Sequence, residues 1–189
     1  MKQKMKRKPS HFILLLIIML TVCACLKNAA PPQPDAGSTP ALSSVGPVVK
    51  VVPEAKSVKV GTVTQVAIVI DQVNDLYAAD VNLTFDPATL ELIDADTTQT
   101  SLQITPGDFI SPDFVAQNQG DNTHGTVHFA VTQIAPREPA RGNGTLATMK
   151  FKTKVAGEIT LTLEQALLAS PEGEPISAQY RNGTITVSP

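Results

Sequence analysis

Residues Asp80 to Leu92, Asp-Val-Asn-Leu-Thr-Phe-Asp-Pro-Ala-Thr-Leu-Glu-Leu, give the clearest indication of the fold class. Its first half alternates polar and apolar residues, which is typical of a β-strand that buries one face and exposes the other. The apolar positions are Val81, Leu83 and Phe85. Its second half places Pro87 directly after Asp86, which predicts one helical turn with Asp86 as its cap. We therefore expect a strand, a tight turn and a second strand.

The same alternation recurs on both sides of this stretch. The further residues predicted to be buried are Val66, Ile68, Ile70, Val127, Phe129, Val131, Ile159, Leu161 and Leu163. Eight or nine such strands close best as a two-sheet sandwich, so the predicted fold class is an all-β sandwich. We also predict a short helical excursion over Leu163–Leu168 and tight turns at the dipeptides Asn143-Gly144 and Asn182-Gly183.

The first 24 residues have the form of an export signal. Five basic residues lie within the first eight positions, and the run from Phe12 to Leu20 carries no charge. This run is too short to cross a bilayer as a helix, which needs about 20 residues, but it is typical of a signal-peptide core. The sequence Val22-Cys23-Ala24-Cys25 that follows resembles the bacterial lipobox, which implies lipidation of Cys25. A secretory signal cleaved near Ala24 and an uncleaved anchor helix remain as alternatives.

A tether is predicted between this signal and the folded domain. Residues 25–46 are rich in proline, alanine and serine, and such a composition buries too little apolar surface to offset its ordering entropy. The predicted organisation is a lipoprotein signal over 1–24, a tether over 25–46 and a folded domain over 47–189. We expect an exported lipoprotein, anchored to the membrane on the cell surface.

Charge and cysteine content limit the classes of partner. Five of the 15 basic residues precede position nine and no acidic residue precedes Cys25, so ten basic and 17 acidic residues remain, a net charge of about −7. Nucleic acids and anionic membrane surfaces are held by clustered lysine and arginine, so neither is an expected partner. Because no cysteine follows Cys25, the domain has no disulfide and no thiol chemistry.

Four segments, in order, resemble the cohesin domain, the module that captures dockerins in cellulosomes and on some bacterial surfaces. They are Lys59–Ile70, Asp80–Leu92, Gly144–Lys152 (Gly-Thr-Leu-Ala-Thr-Met-Lys-Phe-Lys) and Asn182–Val187 (Asn-Gly-Thr-Ile-Thr-Val). The resemblance covers about Val48 to Val187. It implies a nine-stranded jelly-roll β-sandwich, related to the sandwiches of carbohydrate-binding modules, with no cofactor and no catalysis.

The resemblance also implies where a partner binds, namely one flat sheet face built from the third, fifth, sixth and eighth strands. If the apolar residues of the alternation point inward, the residues between them point outward. The candidate partner-binding residues are Asp80, Asn82, Thr84, Thr126, His128, Ala130, Thr160 and Thr162. Asp80 falls on an outward acidic position that often contacts the dockerin in cohesins, and a partner helix would lie across this face. The alternative is that these residues are only the solvated side of a sheet.

Metal sites and catalytic groups are not expected. His124 and His128 are four residues apart on a predicted strand, about 13 Å, and no third ligand is spaced nearby. The oxygen-bearing side chains expected in loops, at Asp71, Asn74 and Asp75 and at Asp94 and Asp96, lack the spacing of an EF-hand, and solvation is the better interpretation. The chain has no Gly-x-Ser-x-Gly elbow and no phosphate-binding glycine loop, so an enzyme is not predicted.

Three functions remain in competition. The first is a lipid-anchored receptor domain that captures a dockerin-bearing protein in extracellular polysaccharide degradation. The second is a tethered carbohydrate-binding module with a polysaccharide ligand, although sugar platforms use exposed aromatic rings and this chain has no Trp and only two Tyr residues. The third is a structural spacer domain of the cell envelope.

Overall fold

The computed structural model describes residues 46–53, 56–110 and 112–189. The predicted signal peptide, Cys25 and the predicted tether up to residue 45 lie outside the described residues. Within those described ranges the chain forms strands and no α-helix, and none of it is a helix that could span a membrane. The strands are β1 (Val48–Pro53), β2 (Ser57–Lys59), β3 (Val63–Leu76), β4 (Ala78–Thr84), β5 (Leu90–Ile93), β6 (Thr105–Pro106), β7 (Phe114–Asp121), β8 (Thr126–Thr132), β9 (Ala140–Thr153), β10 (Gly157–Ala169), β11 (Pro175–Ile176), β12 (Gln179–Arg181) and β13 (Gly183–Ser188).

These strands form two sheets. The first has the order β12-β1-β3-β9-β5 with β6 beside β9, and the second has the order β2-β13-β10-β4-β8-β7 with β11 beside β10. Nine of the strands in the described ranges are four or more residues long, and β2, β6, β11 and β12 are shorter additions. The predicted all-β jelly-roll sandwich is confirmed. Counted among the nine long strands, the third, fifth, sixth and eighth are β4, β7, β8 and β10, and they are neighbours in the second sheet.

The hydrophobic core lies between the two sheets and contains every residue that the alternation predicted to be buried. All twelve of those side chains are at most 6% exposed. The ring of Phe85 packs edge-to-face on the ring of Phe151, with 5.0 Å between the ring centroids and an interplanar angle of 66°. The alternation of apolar and polar residues therefore shows which face of each of these strands is buried.

The turn after β4 forms as predicted. The carbonyl oxygen of Asp86 accepts a hydrogen bond from the Leu90 N–H (3.0 Å), and its Oδ1 accepts one from the Ala88 N–H (2.9 Å). The β7–β8 turn packs against this segment through Gly125, whose φ is +67°. A Cβ at Gly125 would lie 2.0 Å from the carbonyl oxygen of Phe85, so only glycine fits between the two turns.

The helical excursion predicted over Leu163–Leu168 is wrong, because β10 runs through these residues as a strand with a bulge. Leu163 pairs with Leu83 and Gln165 pairs with Asn82, which leaves Glu164 as the extra residue. A β-bulge of this kind places two residues of one strand opposite one residue of its partner.

The bulge reverses the phase of the alternation along β10. Before it, Leu161 and Leu163 are buried; after it, Ala166 and Leu168 are buried and Leu167 is exposed. The buried residues nearest the bulge are Leu163, Ala166 and Leu168, which are three and then two positions apart. In the sequence, this spacing resembles the period of a helix. The extra residue thus gives this strand a helix-like spacing of apolar residues.

The two Asn-Gly dipeptides differ in their outcome. Asn143-Gly144 lies inside β9, so the turn predicted there is wrong; the Asn143 Oδ1 instead accepts a hydrogen bond from the Gln72 N–H of β3 at 2.7 Å. Asn182-Gly183 lies at the start of β13 as predicted, but it forms no tight turn, because the chain passes there from β12 of the first sheet directly into β13 of the second. The Asn182 Oδ1 accepts a hydrogen bond from the Leu163 N–H at 3.0 Å, which ties this crossover to the start of the bulge.

One hydrophobic core joins the two sheets of the described segment. All thirteen strands lie between Val48 and Ser188, and one hydrophobic cluster between the sheets includes residues from the first strand to the last. The described residues between 46 and 189 therefore contain both sheets and the core between them.

Candidate functional site

The outward face of β10, β4, β8 and β7 is the candidate site, and the strand register arranges its side chains in rows. Directly opposite residues of an antiparallel pair point to the same side of the sheet. From one end to the other the rows are Ala169-Ala78-Thr132-Phe114, Leu167-Asp80-Ala130-Gln117, Gln165-Asn82-His128-Gln119 and Thr162-Thr84-Thr126-Asp121. We call these sixteen residues the outward face.

Seven of the eight predicted partner-binding residues lie together on the outward face. Asp80 is opposite Ala130, Asn82 is opposite His128, and Thr84 lies between Thr126 and Thr162. Thr160 is placed differently, because it pairs with Thr184 of β13 and lies one row beyond the face.

The polar side chains of the outward face are held by hydrogen bonds between neighbouring strands. The His128 Nε2 lies 2.9 Å from the Asp80 Oδ1, diagonally across the β4–β8 ladder. The Asn82 Nδ2 donates to the Gln165 Oε1 at 3.3 Å. These contacts fix rotamers before any partner arrives, and such preorganisation lowers the entropy cost of binding.

A third contact of this type involves the bulge residue. The Thr84 Oγ1 donates to the Glu164 Oε1 at 2.9 Å, so the extra residue of β10 turns its carboxylate over the polar end of the face. Glu164 remains exposed to solvent and available to a partner.

Two large apolar residues of the outward face were missed by sequence reasoning. Leu167 and Phe114 are each 55% exposed. Leu167 was assigned to no face because the bulge at Glu164 changes the phase of β10. Phe114 was missed because β7 has no clear alternation: its sequence, Phe-Val-Ala-Gln-Asn-Gln-Gly-Asp, is mostly polar, and a second bulge lies between Val115 and Gln117.

Apolar side chains concentrate at one end of the outward face, where they line a groove of about 630 Å³. We call it the Tyr180 groove; its walls include Ala78, Asp80, Ala130, Leu167, Pro175 and Tyr180. The Tyr180 Oη donates a hydrogen bond to the Ala166 carbonyl oxygen at 2.9 Å, which holds the ring at the edge of the groove. Small residues on β4 and β8 and a larger rim on β10 and β12 give this end its concave shape.

The loop beside the apolar end is fixed by an ion pair. The Arg137 Nε donates to both carboxylate oxygens of Asp113, at 2.7 and 2.8 Å, and the Ile134 N–H donates to the same carboxylate at 3.0 Å. The hydrogen bond from the Arg137 side chain lowers the pKa of Asp113, and the Ile134 N–H adds to this effect. The β8–β9 loop is thereby held next to Phe114.

The opposite end of the outward face is acidic. Asp121 closes β7, and its Oδ2 lies 2.6 Å from the His124 Nδ1, while its Oδ1 accepts hydrogen bonds from the Thr123 and His124 N–H groups. The hydrogen bond with the His124 ring, followed by those two N–H groups, lowers the pKa of Asp121 to about 2. This carboxylate is therefore ionised at neutral pH.

The two sheets of the sandwich differ in their charged residues. The strands β4, β7, β8 and β10 contain no lysine or arginine, and their carboxylates are Asp80, Asp121, Glu158 and Glu164. The first sheet carries Lys50, Arg141, Lys150 and Lys152 on β1 and β9. A cationic partner would therefore be attracted to the outward face of the second sheet.

The carboxylates considered as metal ligands are engaged elsewhere. Asp71 and Asp75 lie in strand β3 rather than in the predicted loop, and they pair with Lys50 (2.5 Å) and with Arg141. Asn74 lies in the same strand. Within the described ranges no group of three or more histidine, cysteine, aspartate or glutamate residues is placed to hold a metal ion.

The carboxylates of the β5–β6 loop serve its own backbone. The Asp94 Oδ1 accepts hydrogen bonds from the Asp96 and Gln103 N–H groups at 3.1 and 2.9 Å. The Asp96 Oδ1 accepts from the Thr98 hydroxyl and N–H at 2.6 and 3.0 Å, and the hydroxyl bond is the main cause of its lowered pKa. These contacts give both side chains a structural role in the loop.

Comparison with known proteins gives one family. The model of the cohesin domain family matches residues 49–187. No curated protein matches the chain significantly. Solved structures with the same fold include a type II cohesin domain from the cellulosome of Acetivibrio cellulolyticus, with a TM-score of 0.64 and 19% identity over 74% of this chain and 95% of that chain.

Two further structures extend this likeness. A non-cellulosomal cohesin from the hyperthermophilic archaeon Archaeoglobus fulgidus has a TM-score of 0.59 and 16% identity over 76% of this chain and 92% of that one. The third cohesin ScaC, solved in complex with the ScaB dockerin from Acetivibrio cellulolyticus, has a TM-score of 0.61 and 20% identity over 76% and 99%. At these identities the structural likeness speaks for the fold alone.

Proposed function

Because this chain belongs to the cohesin domain family, we propose that its outward face binds a dockerin-bearing protein. The family consists of non-catalytic binding modules, and the chain is accordingly not an enzyme. A similar cohesin of the same fold was solved in complex with a dockerin. The binding partner of this chain is then a protein that carries such a module.

The single observation that carries the proposed site is the preorganised arrangement around Asp80. Its carboxylate is held by His128, faces solvent, and lies at the edge of the Tyr180 groove. A face that combines exposed apolar groups, a groove and fixed hydrogen-bonding groups has the composition of a protein interface core with a polar rim. Leu167 and Phe114 add large exposed apolar side chains at the β10 and β7 edges of the same end of this face.

We also propose that the domain works on the cell surface, held there by lipidated Cys25 and the tether over residues 25–46. The support is the order of basic residues, apolar run and Cys25 in the sequence. Such an anchor would keep a captured enzyme close to the cell during polysaccharide breakdown. The Cys25→Ser variant of the full chain should leave the membrane fraction, and retention of that variant in membranes would contradict the lipid anchor.

Calorimetric titration of residues 46–189 with dockerins from the same genome tests the proposed function. Binding is expected with calcium and is expected to disappear with a chelator, because dockerins resemble paired EF-hands. The variants Asp80→Ala and Ala130→Arg should weaken it, since both alter the centre of the outward face. The control is Val63→Asp, because Val63 is 51% exposed and lies on the first sheet.

The outcomes separate this function from its competitors. The receptor function is supported if the titration detects binding of at least one dockerin. This binding should be weaker in the two outward-face variants and unchanged in Val63→Asp. No heat with any dockerin contradicts it, and titration with cell-wall and plant polysaccharides then follows. Binding that all three variants weaken equally would place the interface elsewhere.

A further inference from the structure

The edge of the first sheet is interrupted opposite Met149 of β9. On one side of Met149, β5 pairs with β9 through Ile93 and Lys150, and on the other side β6 pairs with β9 through Thr105 and Thr148. Between β5 and β6 the chain leaves the sheet as a loop. The interruption forms a cavity of about 180 Å³, which we call the β5–β6 notch.

The notch opens on the outer side of the first sheet, away from the core. Gln65 on β3 and Lys150 on β9 are directly opposite each other, and each lies between two buried residues of its own strand. Thr148 likewise lies between buried Ala147 and Met149. Because successive residues of a strand point to opposite faces of a sheet, the side chains of Gln65, Thr148 and Lys150 point outward.

The wall formed by the β5–β6 loop is held by hydrogen bonds at its base. The Asp94 Oδ1 accepts hydrogen bonds from the Asp96 and Gln103 N–H groups, and the Ala95 N–H donates to the Gln103 carbonyl oxygen at 3.0 Å. These bonds close the loop where it leaves the sheet and orient the Asp94 carboxylate through Oδ1. Its second oxygen, Oδ2, can then accept a hydrogen bond from a ligand.

The notch combines one positive, one negative and three neutral polar groups. Lys150 supplies N–H donors, Asp94 supplies acceptors, and Gln65, Thr105 and Thr148 supply an amide and two hydroxyls that both donate and accept. None of the ion pairs formed among the described residues joins Lys150 to Asp94, although both line this small cavity. A ligand that lies between the two charges can contact both.

This set of groups favours a neutral ligand with several hydroxyl groups. An anion would meet the like charge of Asp94, and a cation would meet that of Lys150. A zwitterion could satisfy both charges, but it would leave the three neutral groups without partners, and covering an unpaired polar group is unfavourable. A polyol can donate to Asp94 and accept from Lys150 while its other hydroxyls bind the amide and the threonines.

The size of the notch limits the ligand to one sugar ring. Pockets for drug-sized ligands measure about 300–1,000 Å³, so this cavity holds only a smaller molecule. Ile93 and Ala95 add apolar surface for the C–H groups of such a ring. The described residues that line the notch include no aromatic ring, so we expect weak binding, with a Kd of about 1–10 mM.

We propose that the β5–β6 notch binds one neutral hexose or pentose unit, whose hydroxyl groups accept hydrogen bonds from Lys150 and donate them to Asp94. The unit can be a free sugar or part of a polysaccharide, since both present the same hydroxyl groups. The notch lies on the first sheet and the outward face on the second, so this site does not rest on the proposed dockerin site.

An NMR titration of the ¹⁵N-labelled full chain tests the site. The neutral probes are D-glucose, D-galactose, D-mannose and D-xylose, each also offered as an oligosaccharide of the same unit, and glycine and D-glucuronate represent a zwitterion and an anion. At least one neutral sugar should shift the amides of Ile93, Ala95 and Thr148 in a saturable way. Tighter binding of the oligosaccharide would assign the site to a polysaccharide, and equal or weaker binding would assign it to a free sugar.

Two substitutions test the chemistry of the notch. Lys150→Met should weaken sugar binding by at least about fivefold, because it removes the charged donor and keeps the length of the side chain. Its matched control is Lys152→Met, two positions along the same strand and outside the notch. Thr148→Val should weaken binding by about two- to fivefold, because it removes one hydroxyl and keeps the branched shape. Its control is Thr160→Val on the second sheet.

The outcomes decide between a sugar site and a solvated notch. Saturable shifts confined to the notch, weakened by Lys150→Met and Thr148→Val and retained in both controls, support the sugar site. The proposal is overturned if no neutral sugar shifts these amides, or if glycine or D-glucuronate binds more tightly than every neutral sugar. Equal losses in Lys150→Met and Lys152→Met would also contradict it. None of these results alters the test of dockerin binding on the second sheet.

Discussion

The imidazole of His128 and the carboxylate of Asp80 meet diagonally across strands β8 and β4, with 2.9 Å between Nε2 and Oδ1. Their contact crosses the sheet beside Ala130, the residue directly opposite Asp80, whose small side chain leaves the space above the pair open. Since a carboxylate only accepts hydrogen bonds, the ring donates through Nε2 and holds Asp80 in one orientation. The Asp80 Oδ2 is then free to accept from a partner.

This geometry predicts that Asp80 matters more for binding than for stability. The two side chains are about 40% exposed, so Asp80→Ala should lower the free energy of unfolding by less than about 1 kcal/mol. The same change should weaken dockerin binding clearly. Urea unfolding and calorimetric titration measure the two effects. The control is Asp71→Ala, which removes the carboxylate of the partly exposed Lys50–Asp71 ion pair on the first sheet and should spare the affinity.

Gly125→Ala should destabilise the fold strongly. The residue has a φ of +67°, and the new Cβ would clash with the backbone of Phe85, so we expect a loss of about 2–4 kcal/mol in urea unfolding. Gly173→Ala is the matched control, because its φ is +81° but a Cβ there meets nothing within 4 Å. The control should lose only about 1 kcal/mol. Equal losses would show that conformation alone, and not the contact with Phe85, determines the effect.

Substitutions of two phenylalanines with different surroundings should distinguish a loss of stability from a loss of binding. Phe151→Ala empties a fully buried position beside Phe85 and should cost about 3–5 kcal/mol of unfolding free energy. Phe114→Ala, at a position that is 55% exposed, should change stability by less than about 1 kcal/mol and weaken dockerin binding. Both are measured by the same pair of experiments. A large stability loss in Phe114→Ala would mean that its ring belongs to the core rather than to the outward face.

Asp121 should contribute to the acid sensitivity of the domain. Its pKa of about 2 in the folded state lies below the value near 3.9 of an unfolded chain. The carboxylate therefore stabilises the fold above about pH 4, and this contribution disappears as the pH falls toward 2. Asp121→Asn should lower the melting temperature at pH 7, and the difference from the parent protein should close by about pH 2. The control is Glu158→Gln, an exposed change on β10. Its melting temperature should change with pH in the same way as that of the parent protein.

Most of the core could be predicted from the sequence because burial follows alternation wherever a strand is regular. Val66, Ile68 and Ile70 on β3, and Val81 and Leu83 on β4, are buried as expected. The same alternation placed Asp80, Asn82 and Thr84 on the outward face. A local rule was sufficient there, because neither segment contains an extra residue.

The rest of the site depends on long-range pairing that a single strand does not encode. Leu167 faces outward only because Glu164 is inserted opposite β4, and a bulge has no compact sequence signature. Asn143-Gly144 has the composition of a turn but lies in strand β9. It is held there because the residues on either side of Asn143 pair with β3 and the Asn143 side chain accepts a hydrogen bond from β3. Phe114 faces outward because of its position opposite Thr132. In each case the decisive neighbour lies more than 15 residues away.

The bulge at Glu164 has a consequence for how this surface can change during evolution. A substitution on the outward face normally leaves the core untouched, but the gain or loss of one residue in β10 exchanges interior and exterior for all positions beyond it. Such a step would remove Leu167 from the surface and expose Leu168 in its place. The hydrogen bond from the Leu163 N–H to Asn182 secures the backbone where this exchange would begin. Partner preference in this lineage should therefore diversify by substitution, while single-residue insertions and deletions within β10 are selected against.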